Sequence, residues 1–161
     1  RSRLRHCRGR GVVMTMWFED FAVGQRFETP GATLSEAQIL DFAFQYDPQP
    51  FHIDKPAAEA GPFGGLISSG FQTLAVSFRL TYQLGLIAES GMGAFGMDAL
   101  RWQQPVRPGD TLKVVLSVLE VRASGSRPDR GFVTFGYETF NQNGEKVMSF
   151  TAAQIVRRRP G

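Results

Sequence analysis

An aspartate and a histidine stand close together in a proline-rich segment of the chain. Asp47 is followed by Pro48 and Pro50, and His52 comes five residues after the aspartate. Each proline fixes φ at about −65°, so the segment can hold a carboxylate and an imidazole in one geometry. Such a pair could share general acid and base work on one water molecule. The residues alone leave two structural alternatives open, an Asx turn at Asp47 and a core histidine bonded to a carbonyl group at His52.

A glycine- and serine-rich segment, residues 64–70, leads into the longest helical pattern of the chain. The first N–H groups of a helix have no intrahelical acceptor and lie at the positive end of its dipole. Because Gly70 has no side chain, its N–H could approach an oxygen that becomes negatively charged, as in an oxyanion site. In the structural alternative, Ser68 or Ser69 caps the helix and the glycines form the preceding turn.

Two further patterns are excluded by their context. Residues 91–96 match the letters GxGxxG, but the dinucleotide motif needs a strand before it and a helix after it. The predicted order here is the reverse, so a helix-to-strand loop is expected. A metal site is not predicted, since the chain has only His6 and His52 and a stable site needs three or four ligands. Cys7 lies close to the N-terminus, which argues against a thiol nucleophile.

Two helices are predicted on either side of the proline-rich segment. The first begins after Thr33 or Ser35 and ends before Pro48. The second runs from Ser68 to about Ala88, and residues 47–66 between them are predicted as a long loop. The face of the first helix with apolar spacing is Ile39, Phe42, Ala43 and Tyr46. The predicted apolar stripe of the second helix is Phe71, Leu74, Ala75, Phe78 and Tyr82.

After Gly91 the apolar period changes to two residues, which is typical of strands. Alternation predicts strands near residues 95–102, 112–118, 132–140 and 147–156, after a short first strand near 26–29. Asn143-Gly144 is typical of a hairpin turn. The predicted fold class is therefore α+β, with an antiparallel sheet of about five strands wrapped around one long central helix. The edges of such a sheet need a cover, which predicts a dimer.

The composition indicates one globular domain. Of the 161 residues, 42% are apolar and 20% are charged, and no apolar run approaches the roughly 18 residues of a membrane helix. No membrane partner is therefore predicted. The single Cys7 cannot form a disulfide within the chain, which suits a reducing compartment. A cytoplasmic location is predicted on that basis.

The positive net charge comes from the beginning of the chain. Five of the eighteen basic residues precede residue 11, so the remainder carries 13 basic against 15 acidic residues. We expect residues 1–13 to be a disordered or non-native leader and residues 14–161 to form the domain. The alternative is a basic nucleic-acid arm, but the leader lacks the interleaved aromatic residues of such arms. No nucleic-acid partner is therefore predicted.

Together, the two chemical segments resemble the signature of the MaoC-like dehydratases, also called the (R)-specific enoyl-CoA hydratases. That signature is approximately Asp-x-Asn-Pro-aliphatic-His-x-Asp, followed by a glycine at the start of a long helix. The matching residues here are Asp47, Gln49, Pro50, Phe51, His52, Asp54 and Gly70. The resemblance covers about residues 17–156, and the Pro-Val-Arg-Pro-Gly-Asp turn at 105–110 is similar to one that hot-dog thioesterases share. Gln49 replaces the usual Asn, and Ser69 stands where a His often precedes the glycine.

The resemblance implies a hot-dog fold, usually dimeric, and reversible syn hydration of a trans-2-enoyl-CoA to a (3R)-hydroxyacyl-CoA. The CoA thioester would be the substrate, with no metal or redox cofactor. By the family pattern, Asp47 and His52 activate the water and return a proton to Cα, and Gln49 gives polar support to that water. The amide of Gly70 would receive the charge on the thioester oxygen. The candidates for binding the CoA phosphates are Arg101, Arg107, Arg157, Arg158 and Arg159.

Two other functions remain open at this point. A hot-dog acyl-CoA thioesterase typically relies on an acidic residue, Gln or Asn on the long helix, and residues 68–82 contain no Asp or Glu. A non-catalytic acyl-CoA-binding protein could keep the same fold, but a degenerate copy is free to lose Asp47 or His52, and both are intact. Asp54, two residues beyond His52, is expected to serve loop packing or capping.

Overall fold

The computed structural model describes residues 14–161, so the predictions for the leader and for Cys7 lie outside the described residues. A short 3-10 helix at Phe18–Asp20 precedes the regular elements. The helices are α1 (Glu36–Tyr46), α2 (Pro50–Ile53), α3 (Lys55–Ala60) and α4 (Gly70–Tyr82). The strands are β1 (Arg26–Glu28), β2 (Ala32–Thr33), β3 (Gly91–Ala94), β4 (Asp98–Trp102), β5 (Thr111–Ala123), β6 (Arg130–Phe140) and β7 (Lys146–Arg157).

The strands form one antiparallel sheet in the order β1-β5-β6-β7-β3, with β2 paired to β5 and β4 paired to β7. The predicted meander is confirmed as β5, β6 and β7, and the Asn143-Gly144 turn joins the last two. The sheet has seven strands among the described residues rather than about five. Of the strand expected near 95–102, the structure contains β4, and an additional short strand, β3, precedes the predicted range. Each of the two pairs with β7 across a register shift.

Helix α4 packs against the sheet but is shorter than predicted. It begins at Gly70 with Ser69 as its N-cap, which confirms one of the two predicted caps. It ends at Tyr82 and not near Ala88. The helix ends in a tight turn, in which Leu84 N–H donates to Thr81 O. Gly85 then adopts φ +70°, a conformation that residues with a side chain rarely adopt.

The side of α4 that faces the interior differs from the predicted apolar stripe. Phe71, Phe78 and Tyr82 are 59%, 47% and 57% exposed. The buried residues of α4 are Gln72, Thr73, Ser77, Leu80 and Thr81. The hydroxyl groups of Thr73, Ser77 and Thr81 can be buried because each donates to a main-chain carbonyl oxygen three or four residues earlier. The predicted burial of the aromatic stripe is therefore wrong for the single chain.

The segment between α1 and α4 is more regular than a loop. Helix α1 starts with a capping box between Ser35 and Gln38, as the predicted Ser35 cap requires. The predicted long loop at 47–66 contains α2 and α3, and each carries a proline in its first turn, where the missing N–H costs nothing. Within residues 14–161, no helix has the length and apolar character needed to cross a bilayer.

Candidate active site

Asp47 marks the point where α1 gives way to α2. It is the C-cap of α1, and its N–H donates to Ala43 O at 2.9 Å. The chain then turns, with Gln49 N–H donating to Asp47 O at 2.8 Å, and α2 begins at Pro50. His52 follows on that short helix and is only 4% exposed. The two prolines thus start α2 directly behind α1, which places the carboxylate beside the imidazole.

Two contacts fix the orientation of the His52 ring. Nδ1 lies 2.8 Å from Ile67 O, and a carbonyl oxygen can only accept, so Nδ1 carries the hydrogen. Nε2 then points to Asp47 Oδ2 at 3.2 Å. The structural alternative, a core histidine bonded to a carbonyl group, therefore describes Nδ1 but not Nε2. The other nitrogen is left to exchange a proton near Asp47.

The carboxylate of Asp47 receives hydrogen bonds on both oxygens. Gln49 Nε2 donates to Oδ1 at 2.8 Å, and Ser69 Oγ donates to Oδ2 at 2.7 Å. Burial acts to raise the pKa of Asp47, but the hydrogen bonds from Ser69 and Gln49 and the contact with the His52 ring together lower it by more. The net pKa of Asp47 lies below its ordinary value, so the group is a carboxylate at neutral pH.

Ser69 is a site residue that the sequence pattern identified only as a helix cap. Its Oγ accepts from Phe71 N–H at 3.2 Å, as expected of a cap, and also donates to Asp47. The side chain is fully buried. Asp47 and Ser69 are 22 residues apart in sequence, so no local spacing could reveal the contact. The only available signal was its position directly before the glycine at the start of the helix.

Gly70 lies under the indole ring of Trp102, which no sequence pattern had marked as a site residue. Trp102 Nε1 donates to Gly70 O at 3.0 Å. A Cβ atom placed on Gly70 would come within 2.5 Å of the Trp102 ring. Glycine is therefore required here for the close approach of Trp102.

A cavity of about 440 Å³ opens at this end of α4. All four predicted site residues, Asp47, Gln49, His52 and Gly70, line it. The other lining residues are Phe63, Ile67, Ser68, Phe71, Thr73, Trp102, Gln103, Gln104, Pro105 and Val106. The arrangement joins a carboxylate and an imidazole to the N-terminus of a helix around one space. It has the parts needed for proton transfer beside a developing negative charge.

Asp54 lies outside this cavity and agrees with its predicted capping role. Its Oδ1 accepts from Ala57 N–H at 3.1 Å, which makes it the N-cap of α3. On the long helix, Gln72 is the residue that could support thioesterase chemistry. Its Oε1 accepts from Ser68 Oγ at 2.8 Å and its Nε2 donates to Gln38 O at 2.9 Å. One end of this amide therefore holds the segment that leads into α4, and the other end joins α4 to α1.

The candidate phosphate-binding arginines divide into two groups. Arg157 is the last residue of β7, and Arg158 and Arg159, which follow it, pair with Glu19 and Asp20 near the start of the described chain. Arg107 instead donates to Phe63 O, and Phe63 lines the cavity. Arg101 precedes Trp102 on β4. Arg101 and Arg107 are therefore the two candidates that lie next to residues of the cavity wall.

Comparison with known proteins adds to this geometry. The family model described as MaoC like domain matches residues 19–138. The chain belongs to the MaoC-like dehydratase family. It is 44% identical to the MaoC-like dehydratase from Rhodospirillum rubrum, with a TM-score of 0.85 over 91% of this chain and 99% of that chain. The predicted hot-dog fold is confirmed, with seven strands and a helix packed against the sheet.

Other family members of similar length carry hydratase or dehydratase names. The R-hydratase PhaJ1 from Pseudomonas aeruginosa is 27% identical, with a TM-score of 0.73 over 90% of this chain and 88% of that chain. The 3-hydroxyacyl-thioester dehydratase Z from Mycobacterium tuberculosis is 30% identical over 139 residues, which cover 84% of this chain and 90% of that protein. The chain is thus a MaoC-like protein with hydratases and dehydratases among its relatives.

Proposed function

We propose that the protein is an acyl-CoA hydro-lyase that reversibly adds water, in syn fashion, to a trans-2-enoyl-CoA and gives a (3R)-hydroxyacyl-CoA. The observation that carries the proposal is the contact between Asp47 Oδ2 and His52 Nε2, 3.2 Å apart beside the start of α4. A water molecule held by both groups lies on one face of a substrate whose thioester oxygen approaches Gly70. The family membership supports the same reaction class.

The two side chains have different parts in the proposed reaction. Asp47 is the anionic acceptor that orients one O–H of the water, since its pKa is held low. His52 Nε2 takes the other proton, because Nδ1 is already committed to Ile67 O. The water oxygen bonds to Cβ as its O–H bond breaks, and the dyad returns one proton to Cα on the same face. One water is consumed and no net proton is gained or lost.

The N–H of Gly70 is proposed to stabilise the enolate-like charge on the thioester oxygen. As the first residue of α4, Gly70 has an N–H without an intrahelical acceptor, at the positive end of the helix dipole. A preorganised donor of this kind can lower a reaction barrier by about 3 kcal/mol. Gln49 and Ser69 act through their hydrogen bonds to Asp47 and are therefore positioning residues.

The proposed reaction uses the CoA thioester as substrate and needs no metal or redox cofactor. Hydration leaves the overall oxidation state of the acyl group and water unchanged, so no electron carrier takes part. The proton transfers lie within the ordinary capacity of a carboxylate and an imidazole. A cytoplasmic enzyme supplied with soluble acyl-CoA, as in fatty acid metabolism, fits this chemistry.

We further propose that the protein works as a homodimer or as a larger assembly of dimers. Phe71, Phe78 and Tyr82 leave an aromatic stripe exposed along α4, and such contiguous apolar surface is typical of interaction sites. The short edge strand β3 is a second region that a partner could cover. Light scattering behind a sizing column tests the prediction, and a single-chain mass would contradict it.

The central experiment is to mix the purified protein with crotonyl-CoA and follow the loss of enoyl absorbance. We expect hydration to (3R)-hydroxybutyryl-CoA, with the product hand verified by chiral chromatography. A thiol reagent added in parallel reports hydrolysis of the thioester. Release of free CoA without hydration would indicate a thioesterase, and binding without either reaction would indicate a non-catalytic acyl-CoA-binding protein.

A further inference from the structure

Two cavities with different lining residues lie near opposite ends of α4. The catalytic cavity described above lies at its N-terminal end. A second cavity of about 190 Å³ lies at the C-terminal end, between α4 and strands β5, β6 and β7. Its lining residues are Phe78, Thr81, Tyr82, Leu86, Ile87, Ala88, Gly91, Gly93, Leu116, Phe135, Tyr137 and Gln154. An acyl chain entering beside Asp47 and continuing along α4 would have to pass from the first cavity into the second.

A buried hydrogen bond stands between the two cavities. Ser77 Oγ on α4 and Thr139 Oγ1 on β6 are 2.8 Å apart, and both side chains are fully buried. Ser77 Oγ also donates to the carbonyl oxygen of Thr73, a residue that lines the catalytic cavity. Among the described residues, no side chain lines both cavities. Along α4, Ser77 comes one turn after Thr73, which lines the catalytic cavity, and one turn before Thr81, which lines the second cavity. The Ser77–Thr139 pair therefore lies between the two cavities.

The lining of the catalytic cavity has few charged side chains, and this also bears on which substrates it can hold. Of its fourteen described lining residues, none is Lys or Arg. His52 is the one lining group that can become cationic, and it faces Asp47. Arg107 touches the lining residue Phe63, but its guanidinium donates to the main-chain oxygen of that residue. A second carboxylate on the acyl group would therefore be desolvated without a cationic partner, which is unfavourable.

We infer that the site selects short, uncharged 2-enoyl groups. The inference rests on the proposed hydratase function and names its substrate class. The nucleotide part of CoA is too large and too charged for a cavity of about 440 Å³, so the acyl end must point inward. The Ser77–Thr139 partition limits its length there, and the lack of a cationic partner excludes a terminal carboxylate.

The wild-type protein provides the first test, with three thioesters compared by kcat/KM. Crotonyl-CoA is the short uncharged substrate and trans-2-octenoyl-CoA is the long one. The CoA monothioester of fumaric acid replaces the terminal methyl group of crotonyl-CoA by a carboxylate. We expect kcat/KM to be higher for crotonyl-CoA than for either competitor by about tenfold or more.

The possible outcomes separate this inference from the proposed function. Equal kcat/KM for the octenoyl or the fumaryl thioester would overturn the inference while leaving the hydratase function intact. Failure to hydrate all three thioesters would instead contradict the hydratase function itself. The comparison needs no substitution, so it does not depend on the folding of any variant.

Two matched variants test the partition itself. Ser77→Ala with Thr139→Ala removes volume and the hydrogen bond, whereas Ser77→Ala with Thr139→Val removes the same hydrogen bond and keeps the partition filled. Neither residue lines the catalytic cavity. We expect the Ala pair to raise the octenoyl-to-crotonyl ratio of kcat/KM by about tenfold, and the Val pair to leave it near the wild-type ratio. Equal ratios in two folded variants, verified by thermal melting, would show that the partition does not set chain length.

Discussion

The two ends of α4 place ionisable groups in opposite environments. At the N-terminal end, Asp47 receives donors on both oxygens, and its pKa lies below the ordinary value. At the C-terminal end, burial raises the pKa of Tyr137, and the hydrogen bond from Gln154 opposes this only in part. The first end stabilises an anion and the second keeps a hydroxyl group neutral.

The difference shows how one helix can serve chemistry and stability at separate places. Negative charge is stabilised at the positive end of the helix dipole, where backbone N–H groups can donate hydrogen bonds to it. The other end is lined by aromatic side chains, and the rings of Tyr137 and Phe150 stack there with centroids 4.2 Å apart. Substitutions at the first end should therefore change rates, and substitutions at the second should change the free energy of unfolding.

The largest expected effect comes from the dyad. Asp47→Asn and His52→Gln should each lower kcat for crotonyl-CoA hydration by about 100-fold or more, because each removes a proton-transfer group. Asp54→Ala is the control, since Asp54 caps α3 and does not line the cavity, and alanine cannot cap a helix. It should lower the melting temperature more than the rate. Near wild-type turnover of either dyad variant would remove the catalytic assignment.

Gly70→Val should have the next largest effect, a drop in kcat/KM of more than about tenfold. Its Cβ would meet the Trp102 ring, so we also expect a stability cost of about 1–3 kcal/mol. Chemical denaturation measures that cost, and the Trp102→Ala background should relieve most of it. The kinetic defect should persist in that background. If activity returned together with stability, the defect would come from the displaced indole and not from the Gly70 N–H.

A smaller effect is expected on the pH profile. Ser69→Ala removes a hydrogen bond to Asp47, so the pKa of that carboxyl should rise and the acid limb of kcat/KM should move to higher pH. The stability that the lowered pKa provides is present above the unfolded-state value and is lost as pH falls through the folded value. Ser68→Ala is the control, since Ser68 bonds Gln72 and not Asp47. An unshifted acid limb in Ser69→Ala would contradict the positioning role.

The smallest expected effect on catalysis comes from the opposite end of α4. Gln154→Leu removes the hydrogen bond to Tyr137, and we expect a loss of about 1 kcal/mol in the free energy of unfolding. The kcat for crotonyl-CoA should stay within about twofold of wild type. Urea denaturation and steady-state kinetics measure the two quantities on one preparation. A large rate loss in a stable variant would show that the two ends are coupled.

Local sequence signals predicted the parts of the site that depend on local geometry. The spacing of Asp47 and His52 depends on the end of α1, two prolines and the start of α2, which follow one another directly in the sequence. The Ser69 cap likewise follows from the residues around Gly70. By contrast, the hydrogen bond between Ser69 and Asp47 and the position of Trp102 over Gly70 join distant segments. No single periodicity contains that information.

The wrong prediction about α4 has a physical cause. An apolar stripe at helical spacing indicates which residues share a face, but not whether that face meets this chain's own sheet or another surface. Thr73 and Ser77 can face the interior because their hydroxyl groups bond to main-chain oxygens of α4. Hydropathy alone ranks both residues below Phe71 and Phe78. The prediction therefore assigned the more apolar face of α4 to the interior. The structure buries the other face, whose hydroxyl groups all have hydrogen-bond acceptors in or next to the helix.

The position of Trp102 gives the protein an optical reporter of its own chemistry. The indole is half-exposed at the cavity, and its Nε1 donates to Gly70 O. A thioester that enters beside Gly70 changes the polarity around this ring, so its fluorescence should shift in wavelength or intensity. The sequence has one other tryptophan, Trp17, and Trp17→Phe would leave a single emitter. Stopped-flow mixing could then time substrate arrival separately from loss of the enoyl absorbance.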